Sequence, residues 1–176
     1  MLQASKQWQW IACPNKNRLL LDLNDEMQLC TPYKIRQLTD LVIKNPNFSL
    51  EDAAFYEQVY NYLYGFEIWS GAQICQIALN ATAVKFHLKP VLAKSWFFNE
   101  YTGSQPSVEA VVKLVSKAQT GDFLIVDHCS DASVCLNLSE NFQLDENLSL
   151  AQFEVIKILN NRVHPILPQQ IKFKTA

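Results

Sequence analysis

The chain has 176 residues, 49% of them hydrophobic, with 15 basic against 17 acidic side chains and a formal charge of −2. That length and apolar content can fill the core of one ordinary domain or of two small ones, which excludes a disordered chain. A pI near 5.9 excludes the strongly basic balance that phosphate neutralisation on nucleic acid demands.

In chain order, Met1 to Gln7 lead straight into Trp8 and Trp10, with neither the apolar segment nor the small-residue cleavage site of an export signal. Trp8, Trp10 and Ala12 fall on one face of a predicted strand. Pro14-Asn15-Lys16-Asn17 supplies turn chemistry, and Leu19, Leu21 and Leu23 line a second strand. Met27 to Cys30, after the Asn24-Asp25 turn, completes a three-strand meander. Ser49 with Asp52 three residues on predicts a helix start, and Tyr56, Val59, Tyr60 and Leu63 carry the helical period up to Gly65. Ser70 with Gln73 repeats the signal. Ile74, Ile77, Ala78, Ala81, Val84 and Leu88 then form a stripe that must end before Pro90. Two amphipathic helices are expected to cover one face of the meander.

After Pro90 the texture changes to β-branched and aromatic runs: Lys94 to Phe98, Val108 to Val115, Phe123 to Val126 and Ser133 to Leu138. Such short strands at regular spacing suggest a sandwich or barrel. Val155 to Leu159 is open between strand and helix, and Asn160-Asn161 favours a hairpin after it. The expected fold is α+β, with an N-terminal α/β domain over residues 1–90 and a second, β-rich domain over 91–176. The longest apolar runs, such as Phe123 to Val126, fall far short of the roughly 20 residues that span a bilayer. A soluble chain with no membrane partner is expected.

The chain offers little for catalysis. No phosphate-cradling loop, nucleophile elbow or zinc-protease motif occurs, and there are only four glycines. Acidic pairs at Asp25-Glu26, Glu51-Asp52 and Asp145-Glu146 sit in a turn, a helix's first turn and a polar stretch, where structural or solvated roles are expected. Five cysteines form no Cys-x-x-Cys pair and are expected to stay reduced, as small buried apolar residues. His128, Cys129 and Cys135 leave one enzymatic alternative, a cysteine- or metal-dependent site. Their spacing matches no ligand pattern, and adjacent residues point apart, so a turn followed by a buried cysteine competes with it. Neither a bound metal nor a cofactor is expected.

Charge is segregated. Ile68 to Asn99 and Val155 to Ala176 hold no acid but contain Lys85, Lys89, Lys94, Lys157, Arg162, Lys172 and Lys174, seven of the fifteen basic residues. Trp96, Phe97 and Phe98 follow Lys94, and Val163 and Ile166 follow Arg162. Apolar material rimmed by cations suits an acidic protein partner.

Trp8-Gln9-Trp10, Arg18 to Leu23, Asp52-Ala53-Ala54, Leu79-Asn80-Ala81, Leu88-Lys89-Pro90, Lys94-Ser95-Trp96 and Ile156 to Arg162 resemble, in order and spacing, the Z-ring-associated ZapC family of gammaproteobacteria. The resemblance implies a cytoplasmic monomer at the midcell Z-ring that binds FtsZ, a tubulin-like GTPase, through its globular core. It implies lateral bundling of FtsZ protofilaments, a lowered GTPase activity and no catalysis by the chain itself. It also implies a twisted β-barrel-like C-terminal domain and two neighbouring FtsZ-facing pockets. The basic positions of one look like Lys89, Lys94 and Arg162, and the other includes Leu21. With Trp96, these are the expected FtsZ-binding residues.

Overall fold

The structure is a computed structural model and describes residues 2–24, 27–104, 106 and 110–166. The chain forms two compact units that divide between Pro90 and Val91.

In the first unit, β1 (Gln9–Cys13), β2 (Arg18–Asp22) and β3 (Gln28–Cys30) form the expected antiparallel meander in that spatial order. Trp10 lies opposite Leu21, which lies opposite Leu29. The turns use asparagine where the backbone enters the left-handed region, at Asn17 (φ 49°) and Asn24 (φ 65°), because its side chain tolerates that conformation best after glycine. The Asp25-Glu26 pair lies outside the described residues. Leu19 and Leu21 are fully buried, and so is Leu20 on the opposite face. The middle strand is therefore covered on both sides, which is more burial than strict alternation foresees.

Helices α1 (Leu50–Tyr64) and α2 (Gly71–His87) open with capping boxes. Asp52 N–H donates to Ser49 Oγ at 3.0 Å while Ser49 N–H donates to the Asp52 carboxylate at 2.9 Å. Gly65 and Leu88 cap the C-termini, the latter two residues before Pro90. Tyr56 and Phe48 meet Trp8 edge-on, which packs α1 on the meander. Asp52 ties the unit together from inside. Its Oδ2 also accepts the Trp10 indole N–H at 3.1 Å, and its Oδ1 lies 3.0 Å from His87 Nε2 at the end of α2. Burial alone would raise the pKa of this carboxyl, but the contacts with His87, the Ser49 amide and the Trp10 indole hold it below the ordinary carboxylate value.

The second unit contains a five-stranded antiparallel sheet in the order β10-β4-β5-β6-β9 and a separate hairpin, β7-β8. Its strands are β4 (Val111–Val115), β5 (Thr120–His128), β6 (Ala132–Asn137), β7 (Asn141–Gln143), β8 (Ser149–Ala151), β9 (Val155–Leu159) and β10 (His164–Pro165). Phe98, Phe123, Phe142, Leu114, Ile156 and Val163 belong to one buried apolar cluster. The fold is α+β. Among the described residues no ladder joins β9 to β10, so the sheet is open at those two strands.

Three expectations are corrected, the last of them in both units. Lys94 to Phe98 is not a strand but a 3₁₀ turn at Ser95–Phe97, where Ser95 and Phe98, three apart, point inward and Trp96 points out. Val155–Leu159 is a strand, yet no hairpin follows. The outer edge of β9 is already taken by residues 93 and 94, through an Ala93–Lys157 bridge and a 2.9 Å bond from Lys94 N–H to Lys157 C=O. After one 3₁₀ turn at Asn160–Arg162 the chain crosses to pair with β4 instead. Of the strand expected over Val108 to Val115, Val111–Val115 is present as β4, while Val108 and Glu109 lie outside the described residues. Finally, of the five cysteines, all free, only Cys135 is buried, while Cys30 and Cys129 are exposed. Cys30 stands on the short edge strand β3 and Cys129 at the tip of the β5–β6 hairpin, where nothing covers them as a core would.

Candidate protein-interaction site

Residues 93–101 form a strap along β9 and the turn that follows it. Leu159 N–H donates to Ser95 Oγ at 2.7 Å, Tyr101 N–H to Asn161 C=O at 2.7 Å, and Asn99 N–H to Val115 C=O at 2.8 Å. Phe98 drops into the apolar cluster and stacks on Phe142 with ring centroids 6.1 Å apart. Between these fixed points Trp96 is 69% exposed, its ring 5.5 Å from that of Phe97, and Leu92 just before the strap is 87% exposed. Large apolar side chains left in water on a backbone held at both ends are what a docking surface requires.

The two acid-free stretches do meet inside this unit. Lys94 is exposed, and its backbone is bonded to that of Lys157, whose side chain is half-buried. Arg162 lies farther along the strap. Its Nη1 donates to Phe98 C=O at 3.1 Å, and its Nη2 lies 2.8 Å from Glu100 Oε1. The arginine side chain is 20% exposed and the glutamate 61%. Glu100 was not foreseen as part of the site. It is the first acid after the Ile68 to Asn99 stretch, and that break in the charge pattern was the signal available. Lys172 and Lys174 lie outside the described residues.

The turn bearing Arg162 is itself clamped. Asn160 N–H donates to Asp131 C=O at 2.9 Å, its side-chain amide reaches the carbonyls of Cys129 and Ser130 at 3.3 Å each, and its Oδ1 accepts from Ser133 Oγ at 2.7 Å. Ser133 Oγ is also 3.0 Å from His128 Nδ1. His128 is thus engaged with Ser133, whereas Cys129 Sγ donates to Ala132 C=O at 3.2 Å. Cys135 is sealed in the core, and burial pushes its thiol pKa well up, away from the nucleophilic thiolate. His128, Cys129 and Cys135 do not form a joint site, and among the described residues no three His, Cys, Asp or Glu side chains converge as metal ligands.

In the first unit Lys89 is exposed just beyond α2, its N–H bonded to Gln37 C=O at 2.8 Å. Leu21 is fully buried at the centre of β2, so its side chain supports a surface rather than forming one. No described helix is long and apolar enough to cross a membrane.

Comparison with known sequences adds a family to this geometry. The family model described as "Cell-division protein ZapC, N-terminal" matches residues 1–89, and "Cell-division protein ZapC, C-terminal" matches residues 90–169. A protein of Pseudoalteromonas translucida named "Cell division protein ZapC" is 76% identical over the whole of both chains. Proteins of the same name from Aeromonas hydrophila and Shewanella woodyi are 36% and 35% identical; the first alignment covers 98% of this chain and 97% of the relative, the second 94% and 92%.

Proposed function

The chain belongs to the ZapC family of cell-division proteins, and we propose that it acts as a cytoplasmic, non-enzymatic monomer at the midcell Z-ring. There it binds the globular core of polymerised FtsZ, bundles the protofilaments laterally and lowers their GTPase activity. The observation that carries this reading is the strap: an exposed Trp96 two residues from an exposed Lys94, on a backbone fixed by hydrogen bonds on either side. An aromatic anchor with basic neighbours fits an acidic protein surface, with burial of the aromatic supplying most of the holding energy and the charges supplying steering and selectivity. Lys89, Lys94 and Trp96 are proposed to meet FtsZ, and Arg162 is proposed as a residue on which that binding depends. Leu21 contributes from within, by holding the meander in shape. The second unit serves as a barrel-like platform, a reading supported by Phe142 and Leu150 of the β7–β8 hairpin, which join the apolar cluster of the main sheet.

Co-sedimentation with FtsZ and GTP tests the proposal. Wild-type protein and the control Lys16→Glu should pellet with the polymers, whereas Lys89→Glu, Lys94→Glu and Trp96→Ala should pellet less. Raising the salt should weaken wild-type binding, because an exposed charge is screened over roughly 8 to 10 Å near physiological ionic strength. If wild-type protein stays in the supernatant, or all variants pellet like it, the proposal fails.

A further inference from the structure

We infer that Arg162 is a positioning residue, a pin that holds the strap so that Trp96 and Lys94 stand in a fixed place, and that its guanidinium is not itself a contact with the partner. The inference rests on the FtsZ reading above for the identity of that partner.

Three features of the side chain lead here. It is four-fifths buried, and it spends Nη1 on a main-chain carbonyl, that of Phe98, and Nη2 on Glu100 of the same strap. An arginine meeting an outside carboxylate would present its planar fork to solvent; this fork closes on its own molecule. Its bonds also fall where the strap needs them. Ser95 Oγ and the Lys94 amide fasten the strap before Trp96, and Arg162 with the Tyr101 amide fastens it after. At the other end, Asn160 and Ser133, both buried, lock the turn that carries Arg162 to the β5–β6 hairpin. The chain of contacts runs His128, Ser133, Asn160, Arg162, Phe98 and Glu100, and Trp96 is what it presents. An aromatic on a backbone already fixed before binding loses less freedom on association than one on a loose loop.

Glu100 separates this inference from direct contact, because the two give opposite signs. If Arg162 met an acidic partner, Glu100 would compete for it, and Glu100→Ala would strengthen binding. As half of a pin, Glu100→Ala loosens the strap and weakens binding. The experiment labels the four tryptophans with 5-fluorotryptophan, assigns the Trp96 resonance by its absence in Trp96→Phe, and records fluorine spectra without partner, then co-sedimentation with FtsZ and GTP. Arg162→Gln and Glu100→Ala should both shift or broaden the Trp96 resonance while leaving those of Trp8, Trp10 and Trp69 in place. Both should weaken binding, Glu100→Ala by no more than about fivefold, since the carboxylate end of its ion pair is largely exposed. The double variant Glu100→Arg with Arg162→Glu should bind better than Arg162→Glu alone. Tighter binding by Glu100→Ala overturns the inference, as does an unchanged Trp96 resonance in an Arg162→Gln protein that has lost binding. Glu100 is exposed enough that its removal leaves the fold intact, so this arm decides even if an Arg162 variant misfolds. Wild-type protein that does not pellet overturns the FtsZ reading instead, and the Trp96 resonance still decides the pin.

Discussion

The two units use their charged side chains in opposite ways. In the first, Asp52 is buried and reaches Ser49 at the start of α1, Trp10 on β1 and His87 at the end of α2, so one carboxylate joins three elements from inside. In the second, the buried side chains among the described residues are uncharged, and the bonds of Arg162 lie at an edge, where they hold a strap rather than a core. Loss of function therefore has to be interpreted differently in each. On the proposed reading, a change at buried Leu21 or Asp52 is expected to act through folding, and one at exposed Trp96 or Lys94 on the surface.

The sharpest way to break that contrast is Asp52→Ala, the largest effect expected. It leaves the buried Trp10 indole and His87 ring without their shared acceptor and α1 without its capping carboxylate, and each buried group orphaned in this way costs about 1–3 kcal/mol. Thermal unfolding followed through Trp8 and Trp10 should show the first unit melting far earlier, and an unchanged transition would show that the carboxylate is dispensable. The pH dependence has a definite sign. Because the folded carboxyl has a lowered pKa, the unfolded chain takes up the proton first as pH falls. The contribution of Asp52 is thus complete above about pH 4 and is lost as pH falls below that, toward the folded value. Asp52→Asn should flatten this acid limb for the first unit.

Much of this unit was legible because its signals are local. Ser49/Asp52 and Ser70/Gln73 announce helix starts within three residues, and the asparagines at 17 and 24 mark turns by their own conformational tolerance. The second role of Asp52 was not legible. Its partner His87 is 35 positions away, and only the packing of α1 against α2 brings them together. The strap was misread for a related reason. Lys94 to Phe98 alternates like a strand, but the bonds to Lys157, Val115 and Asn161 that decide its path come from residues far along the chain. The apolar and basic character of the proposed site could be read from composition; that Arg162 turns inward to Glu100 could not.

Gly121→Ala probes the second unit at the centre of its core and should cost less than Asp52→Ala. A Cβ at position 121 would fall within 2.8 Å of two ring atoms of Phe142 and 3.3 Å from Ser139 Oγ. The glycine is kept for space, since its backbone lies outside the positive-φ region. Phe142 cannot easily withdraw, being fully buried between Phe98 and Phe123. Overpacking of this kind costs about 1–3 kcal/mol. Hydrogen exchange should show the amides of β5 and β6 opening more readily while those of α1 and α2 keep their protection. Equal loosening of both units would mean that they do not unfold separately.

Trp96→Ala is the smallest expected effect on stability and the one that sharpens the contrast most. Removing a large aromatic from a core costs about 3–5 kcal/mol, because burial is lost and a cavity remains. Trp96 has little burial to lose: its ring touches Phe97 but is mostly in water, and the strap beneath it is held by Ser95, Phe98 and Arg162, which the substitution leaves in place. The variant should keep its melting transition within the ±0.5 kcal/mol typical of surface changes. It should nonetheless lose FtsZ binding, since a central aromatic anchor commonly contributes 2 kcal/mol or more to an interface. Both halves of this expectation can fail separately. A large fall in stability would mean that Trp96 is structural after all, and full binding by a stable variant would remove it from the site and leave the exposed lysines to explain any attraction to the filament.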